Sequence, residues 1–369
     1  MRYAPKAAER LKTLNRDDEF LISRMLFLLT YNTSCDFAAL VKDHSLADSM
    51  VQNLREHSRA FSDSGRSKSR TSPLEDMAMI ETLKLMFNLT YYHPNLTSEW
   101  TPAIEPLINL LLHYPIPTKP LQPPITYMLN ALMNLDLDAT DGGSASEKEA
   151  SKSPLFPSAD PESVLRRLTS ILLQAIREHP VRELDEAAAS LCTILRRAYE
   201  LASPDMKLWM QHTLLPNDAD RSRPLGQGDT LSARLLQLSI SPNLPTLREN
   251  IASLLFELSD KNANKFIENI GYGYASGFLT SHNITIPASA IESDQSATKS
   301  GADVNPVTGQ LRSAEEQERP QTDDMTEEEK EREAERLYVL FERLRATGVV
   351  NVKNPVQQAI DEGRFEELD

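Results

Sequence analysis

The chain has 369 residues and a mass of 41.4 kDa, enough for about two ordinary domains or one extended repeat array. A formal charge of -15 and a pI near 5.0 exclude the basic stripe of a nucleic-acid binder and make a basic patch on a partner the natural complement. No apolar run approaches the ~20 residues that span a bilayer, and the polar, basic stretch Met1 to Asn15 lacks the apolar core of a secretory leader, so a cytoplasmic protein without stable membrane insertion is expected.

Ala7 to Thr13 is a short amphipathic piece. Asp18 to Thr30 reads as a strong helix capped by Asp17 or Asp18, with apolar residues Leu21, Ile22, Met25, Leu26, Leu28 and Leu29 too widely spread for one buried stripe. Cover is required on both sides, as for a helix inside an array. Phe37 to Leu54 reads as one helix, and Arg55 to Pro73, rich in serine and arginine without apolar period, as a loop, with a disordered insertion over 56–73. Leu74 to Tyr91 restores helical period through Met77, Ile80, Leu83, Met86, Phe87 and Leu89, followed by a helix from Pro102 to His113. The prolines of Tyr114 to Pro124 separate that helix from the next, Ile125 to Leu135. Asp136 to Asp160, acidic and rich in glycine and serine, reads as an exposed insertion.

Helices follow at Pro161 to Glu178, Leu184 to Leu201, Asp205 to Leu215 and Thr230 to Leu238. Asn250 to Gly277 combines a helix with its apolar face at Ile251, Leu254, Leu255 and Leu258, a second segment around Phe266 and Ile270, and a glycine-punctuated turn. Residues 285–325 lose periodicity and read as a flexible linker. Thr326 to Thr347 is a final amphipathic helix with a Thr326/Glu329 capping box, and from Glu315 to Asp369 the chain carries a net charge of -9.

No segment alternates as a strand does. Instead, a helix end recurs at Leu28-Leu29-Thr30, Phe87-Asn88-Leu89-Thr90, Met133-Asn134-Leu135 and Phe256-Glu257-Leu258-Ser259. The expected fold is all-α: an armadillo- or HEAT-like superhelical solenoid over 1–284, with insertions at 56–73 and 136–160, a linker over 285–325 and an acidic helix and tail over 326–369. An irregular helical domain without repeats is the alternative. Cys35 and Cys192 read as buried thiols, and the seven histidines form no metal-ligand spacing. The glycines of Gly271 to Gly277 follow no strand and lack a lysine, so they suit a tight turn between helices rather than a phosphate loop. No cofactor and no active site are expected; such a chain acts by binding.

Glu81 to Thr90, Pro115 to Pro124 leading into Asn130 to Leu135, Phe266 to Gly273, Val304 to Gly309 and Met325 to Glu331 together closely resemble the synembryn family over nearly the whole chain. That resemblance implies a guanine nucleotide exchange factor and folding chaperone for heterotrimeric G-protein alpha subunits, working as a monomer and recruited to the cell cortex or plasma membrane by its partner. Family members carry further armadillo-like repeats at the N-terminus, in keeping with the uncovered helix at Asp18 to Thr30. The resemblance further implies that the concave face grips the C-terminal helix of the alpha subunit while the acidic final helix packs near its switch region, so that GDP leaves and the empty subunit is held.

On the concave face the expected contacts are Asn88, Tyr91, Asn130 and Asn134, then Asn250 and Glu257. An asparagine there can hydrogen-bond a partner or its own neighbouring repeat. In the final helix Leu337, Leu340, Phe341 and Leu344 are the expected apolar anchors, with Arg345 an ion-pair partner and packing back onto the solenoid the alternative. The resemblance also implies acidic-directed phosphorylation in the linker, for which the candidates are Ser289, with Glu292 three residues on, and Ser313, with Glu316. The competing function is a passive armadillo-type scaffold or adaptor.

Overall fold

The structure, a computed structural model, describes residues 3–13, 15–31, 35–62, 72–138, 153–285 and 304–318, together with Arg332, Arg336, Tyr338 and Val339. The chain divides into two compact units, Met1–Arg312 and Ser313–Asp369. The first is an all-α solenoid. Among the described residues the extended pairing consists of one isolated bridge, Val304 with Leu311.

Its helices are α1 (Ala4–Arg10), α2 (Arg16–Leu29), α3 (Phe37–Lys42), α4 (Leu46–Ser62) and α5 (Pro73–Tyr92). A 3-10 helix (Pro94–Ala103) follows, then α6 (Ile104–His113), α7 (Ile125–Asn134), α8 (Ser163–Glu178), α9 (Val181–Ala187) and α10 (Ala189–Leu201). The unit ends with α11 (Pro204–Leu214), α12 (Asp218–Arg221), α13 (Leu231–Ser239), α14 (Pro245–Leu258), α15 (Ala263–Ile270) and α16 (Tyr272–Ser281), and α17 (Arg312–Glu318) carries the chain into the second unit. The helices stack in rows. The first row runs α2, α5, α7, α10, α14, each against the next, and a second row, α4, α6, α8, lies behind it. Leu83, Leu85, Met86 and Leu89 of α5 are all fully buried because α5 has a neighbour on either side and the second row at its back. A Ser72/Glu75 capping box starts α5, and Asn15 starts α2 by accepting from the amides of Asp17 and Asp18.

Several expected boundaries move. The single helix expected over Phe37 to Leu54 is two, broken at Ser45, which has a positive φ of 51°. The second of them, α4, continues to Ser62, through the first part of the expected loop, because His57 and Ser58 there are buried; residues 63–71 lie outside the described residues. Leu184 to Leu201 is likewise two helices, α9 and α10. The insertion expected over 136–160 is pinned at both ends: Leu137 and Leu155 are buried, and the Ser153 hydroxyl donates to the Leu137 carbonyl at 2.6 Å. The proline connector is held by α8, where Gln174 donates to the carbonyls of Pro117 and Thr118 and Arg167 to those of Leu111 and Tyr114. Gly271 alone of the Gly271, Gly273 and Gly277 set has positive φ, 79°; the expected turn is one residue long, and the other two glycines are inside α16. Val304 to Arg312, expected in the linker, is folded onto the first unit. Of the final helix, Arg332, Arg336, Tyr338 and Val339 are described, and all four are helical and exposed.

Candidate partner-binding face

The helices of the first row lie in register, and polar bonds between them show it. Near their starts, Thr82 of α5 donates to Glu19 of α2 at 2.8 Å, and Thr193 of α10 meets Asn250 of α14 at 3.2 Å. Near their ends, Asn88 Nδ2 donates to Thr30 Oγ1 at 2.7 Å, Asn134 Nδ2 to Thr90 Oγ1 at 3.2 Å, Arg197 to the Met133 carbonyl at 2.8 Å, and the Tyr199 hydroxyl to Asp260 at 2.8 Å. At the first three junctions the preceding helix end offers a hydroxyl or carbonyl to a side-chain donor of the following helix; at the fourth the donor is Tyr199 of the preceding helix.

A face left open by this row changes character along its length. Leu21, Met25 and Leu28 of α2 are exposed, at 61, 39 and 57%, on the side turned away from α5, and Tyr31, just beyond α2, is 47% exposed on the open face. On α5 the outward stripe is Met77, Ile80, Lys84, Phe87 and Tyr91, spaced as one helix face. Phe27 and Tyr31 meet edge to face at 5.4 Å, Tyr31 and Tyr92 at 6.4 Å and Tyr92 and Tyr91 at 5.2 Å, and Tyr91 stacks on Phe87 at 6.0 Å. Lys84 Nζ sits over Phe27 at 4.9 Å and over Tyr127 of α7 at 5.8 Å, so one ammonium joins three successive helices. On α7 the stripe becomes Tyr127, Asn130 and Asn134; on α10 and α14 it becomes ionic, with Lys261 bridging Glu200 and Glu257 at 3.2 Å each.

Beneath the apolar end lies a buried acid tier. Glu19 is 1% exposed and accepts from His57 Nε2 at 3.1 Å, Thr82 at 2.8 Å and Arg16 at 2.7 Å. Burial pushes its carboxyl up, but the bonds from His57 and Thr82 and the charge of Arg16 outweigh it and hold the pKa below the ordinary carboxylate value. Glu81, also buried, receives Arg24 and Lys84 at 3.1 and 2.8 Å.

The expected contacts fall into distinct settings. Tyr91 is 63% exposed in the aromatic run, and Asn130 is half-buried on the open stripe. Asn88 is 5% exposed with its amide on Thr30, Asn134 is bonded to Thr90, Asn250 links Thr193 and the Thr246 carbonyl, and Glu257 is 8% exposed and paired with Lys261. These four amides and carboxylates serve their own stack. Leu337, Leu340, Phe341, Leu344, Arg345 and Ser289 lie outside the described residues, and Ser313 is exposed in the first turn of α17.

A family model described as guanine nucleotide exchange factor synembryn matches residues 1–364. The chain belongs to the synembryn family. Among its relatives, a synembryn-like chaperone of Schizosaccharomyces pombe is 26% identical over 98% of this chain and 68% of its own length. Chaperone Ric-8A of Bos taurus is 26% identical over 91% of this chain and 64% of its own, and chaperone Ric-8 of Drosophila melanogaster is 29% identical over half of this chain and 34% of its own. This synembryn-family chain thus spans about two thirds of the length of the first two. Among the described residues, no helix is long and apolar enough to cross a membrane.

Sequence reasoning passed over Phe27, Tyr31, Lys84, Tyr127 and Arg197 of this face. Lys84 carried the visible signal: a lysine inside an otherwise apolar helix, on the same stripe as Phe87 and Tyr91.

Proposed function

We propose that this chain is a guanine nucleotide exchange factor and folding chaperone for heterotrimeric G-protein alpha subunits, and that the open face of the first row receives an amphipathic helix of that subunit. The observation that carries the reading is membership of a family described as an exchange factor, with relatives named as chaperones. The surface fits that task. The aromatic run at one end suits the apolar face of a helix, and the asparagine and ion-pair end suits its polar terminus.

Exchange needs no nucleotide site on the regulator. A partner helix drawn onto this face is withdrawn from its own nucleotide-binding domain, and GDP affinity falls by the coupling free energy between the two sites. The reciprocal consequence is that GTP binding expels the regulator. Tyr91, Tyr31 and Asn130 are assigned direct contact, and Asn88 and Asn134 hold the helices that present them. Leu337, Leu340, Phe341 and Leu344, with Arg345, form a second contact from the acidic helix, and phosphorylation at Ser289 or Ser313 strengthens it. The protein acts as a cytoplasmic monomer without cofactor. The test is GDP release from a purified alpha subunit with the intact chain, a chain ending at Asp324, and Tyr91→Ala. Release is accelerated by the first and less by the others; binding without any change in release would instead make the protein a scaffold.

A further inference from the structure

The connector between α6 and α7, residues 114–124, contains five prolines, so few of its backbone groups can pair with one another. Side chains of α8 satisfy them instead. Arg167 donates to the carbonyls of Leu111 and Tyr114, and Gln174 Nε2 donates to those of Pro117 and Thr118 at 3.1 Å each. His179, the C-cap residue of α8, makes the third contact in the opposite sense: its Nε2 accepts the Leu121 amide at 3.1 Å.

The state of the ring follows from its partners. A backbone amide can only donate, so Nε2 presents a lone pair and the ring proton sits on Nδ1, which donates to Glu183 of α9 at 3.2 Å. The contact is dry, with His179 6% and Leu121 5% exposed. The charged groups nearest the ring are Glu183 and, through that carboxylate, Lys119 of the connector at 3.4 Å; Arg177, Glu178 and Arg182 flank it in sequence and are exposed. None of the ring's hydrogen bonds goes to α6 or α10, which also pack on α8. Other histidines are built differently. His44, His57 and His282 turn a ring nitrogen to Glu9, Glu19 and Glu249, and His113 turns one to the Asn109 carbonyl, all acceptors that tolerate a fully protonated ring. Among the described residues, His179 alone takes a backbone amide on a ring nitrogen.

We propose that His179 is an acid-sensitive latch for the connector. A proton taken up from solvent at Nε2 occupies the lone pair that holds Leu121 and sets one N–H against another, so the bond opens while the charged ring keeps Glu183. The proton and the Leu121 bond exclude each other, so falling pH favours the open connector. Release is local, because the contacts of Arg167 and Gln174 involve no group that titrates near neutrality. The freed end is the one nearest α7, which begins at Ile125 and carries Tyr127 and Asn130 of the open stripe.

Amide exchange and nitrogen NMR of the full chain at about pH 7.5 and about pH 5.5, compared with His179→Gln and His179→Ala, test this. At the higher pH, Nε2 of His179 shows the resonance of an unprotonated acceptor and Nδ1 that of a protonated nitrogen. On acidification the Leu121 amide loses protection by about tenfold or more, after correction for the intrinsic pH dependence of exchange, while Leu168 and Leu172 of α8 keep theirs. His179→Gln, whose side-chain oxygen accepts but does not titrate, keeps Leu121 protected at both pH values, and His179→Ala leaves it unprotected at both. A protonated Nε2 at the higher pH, or a Leu121 protection that acid does not change, overturns the latch. An equal fall in His179→Gln also overturns it, because the acid sensitivity then belongs to another group.

Discussion

Replacing Glu19 by Ala should be the most damaging single change in the apolar half of the first unit. The carboxylate is 1% exposed and is the common acceptor for His57, Thr82 and Arg16, side chains from α4, α5 and its own helix. Removal takes the acceptor from the buried His57, leaves the Thr82 hydroxyl with Ser23 alone, and opens a cavity between two rows. Breaking a buried pair in this way costs about 3–5 kcal/mol, a large share of the roughly 5–15 kcal/mol that holds an ordinary domain together. Glu19→Gln keeps the volume and the Thr82 bond and should cost less. The assay is urea unfolding followed by far-UV circular dichroism at pH 7, with hydrogen exchange of α2 and α5 amides to localise the loss. The pH dependence provides a second check. A carboxyl whose folded pKa is depressed stabilises above the unfolded value of about 4.3 and loses that stabilisation as the pH falls through the folded pKa. The parent should therefore lose its advantage over Glu19→Gln progressively below about pH 4.3. A cost under about 1 kcal/mol for Glu19→Ala, or an advantage that does not shrink with acid, would refute this account of the buried tier.

Other consequences are equally measurable. Asn88→Ala and Asn134→Ala should each destabilise the fold by about 1–2 kcal/mol in thermal or urea unfolding, without weakening an alpha subunit bound well below the transition. Tyr91→Ala should do the reverse: with the ring 63% exposed, stability changes by under about 0.5 kcal/mol, while binding measured by calorimetry weakens by about 30-fold, the loss of a 2 kcal/mol hot spot. Cys192 is 1% exposed and burial raises its thiol pKa to about 12, so a maleimide reagent should label it in denaturant and leave it unlabelled in the native chain. Gly271→Ala, at φ +79° and against the backbone of Thr308 and Gly309, should lower the unfolding midpoint more than Gly277→Ala, where an added Cβ meets nothing within 4 Å.

The solenoid was legible where one helix carries its own apolar period. In α7 and α14 the spacing of the apolar residues reports burial directly, whereas in α5 the expected apolar set mixes buried Leu83, Met86 and Leu89 with Met77, Ile80 and Phe87 of the outward stripe. The break at Ser45 was passed over although the polar run Lys42-Asp43-His44-Ser45 marks it, because the positive φ belongs to a serine and not to a glycine. The extension of α4 to Ser62 was hidden for another reason: His57 is a polar residue whose burial depends on a partner 38 positions away, Glu19. The docking of residues 304–311 was not legible, since their attachment runs through backbone carbonyls and Arg221.

The candidate face divides along the same line. Tyr91 and Asn130 could be picked out because they stand on a stripe that a helix count defines. Asn88 and Asn134 looked similar in sequence, and only the stacking of α2, α5 and α7 turns their amides toward Thr30 and Thr90. Lys84 shares a stripe with Phe87 and Tyr91 that the sequence shows, but its position over two rings on neighbouring helices exists only in the assembled row.

The central claim is that this chain loosens GDP on an alpha subunit by engaging it through the open face of the first row. Single-turnover release of a fluorescent GDP analogue from a purified heterotrimeric G-protein alpha subunit measures that directly, with the intact chain and with Tyr91→Ala compared at matched concentration. Accelerated release with the intact chain, and a clearly smaller acceleration with the variant, is the predicted result. Tight binding of the intact chain with release at the unassisted rate would contradict it.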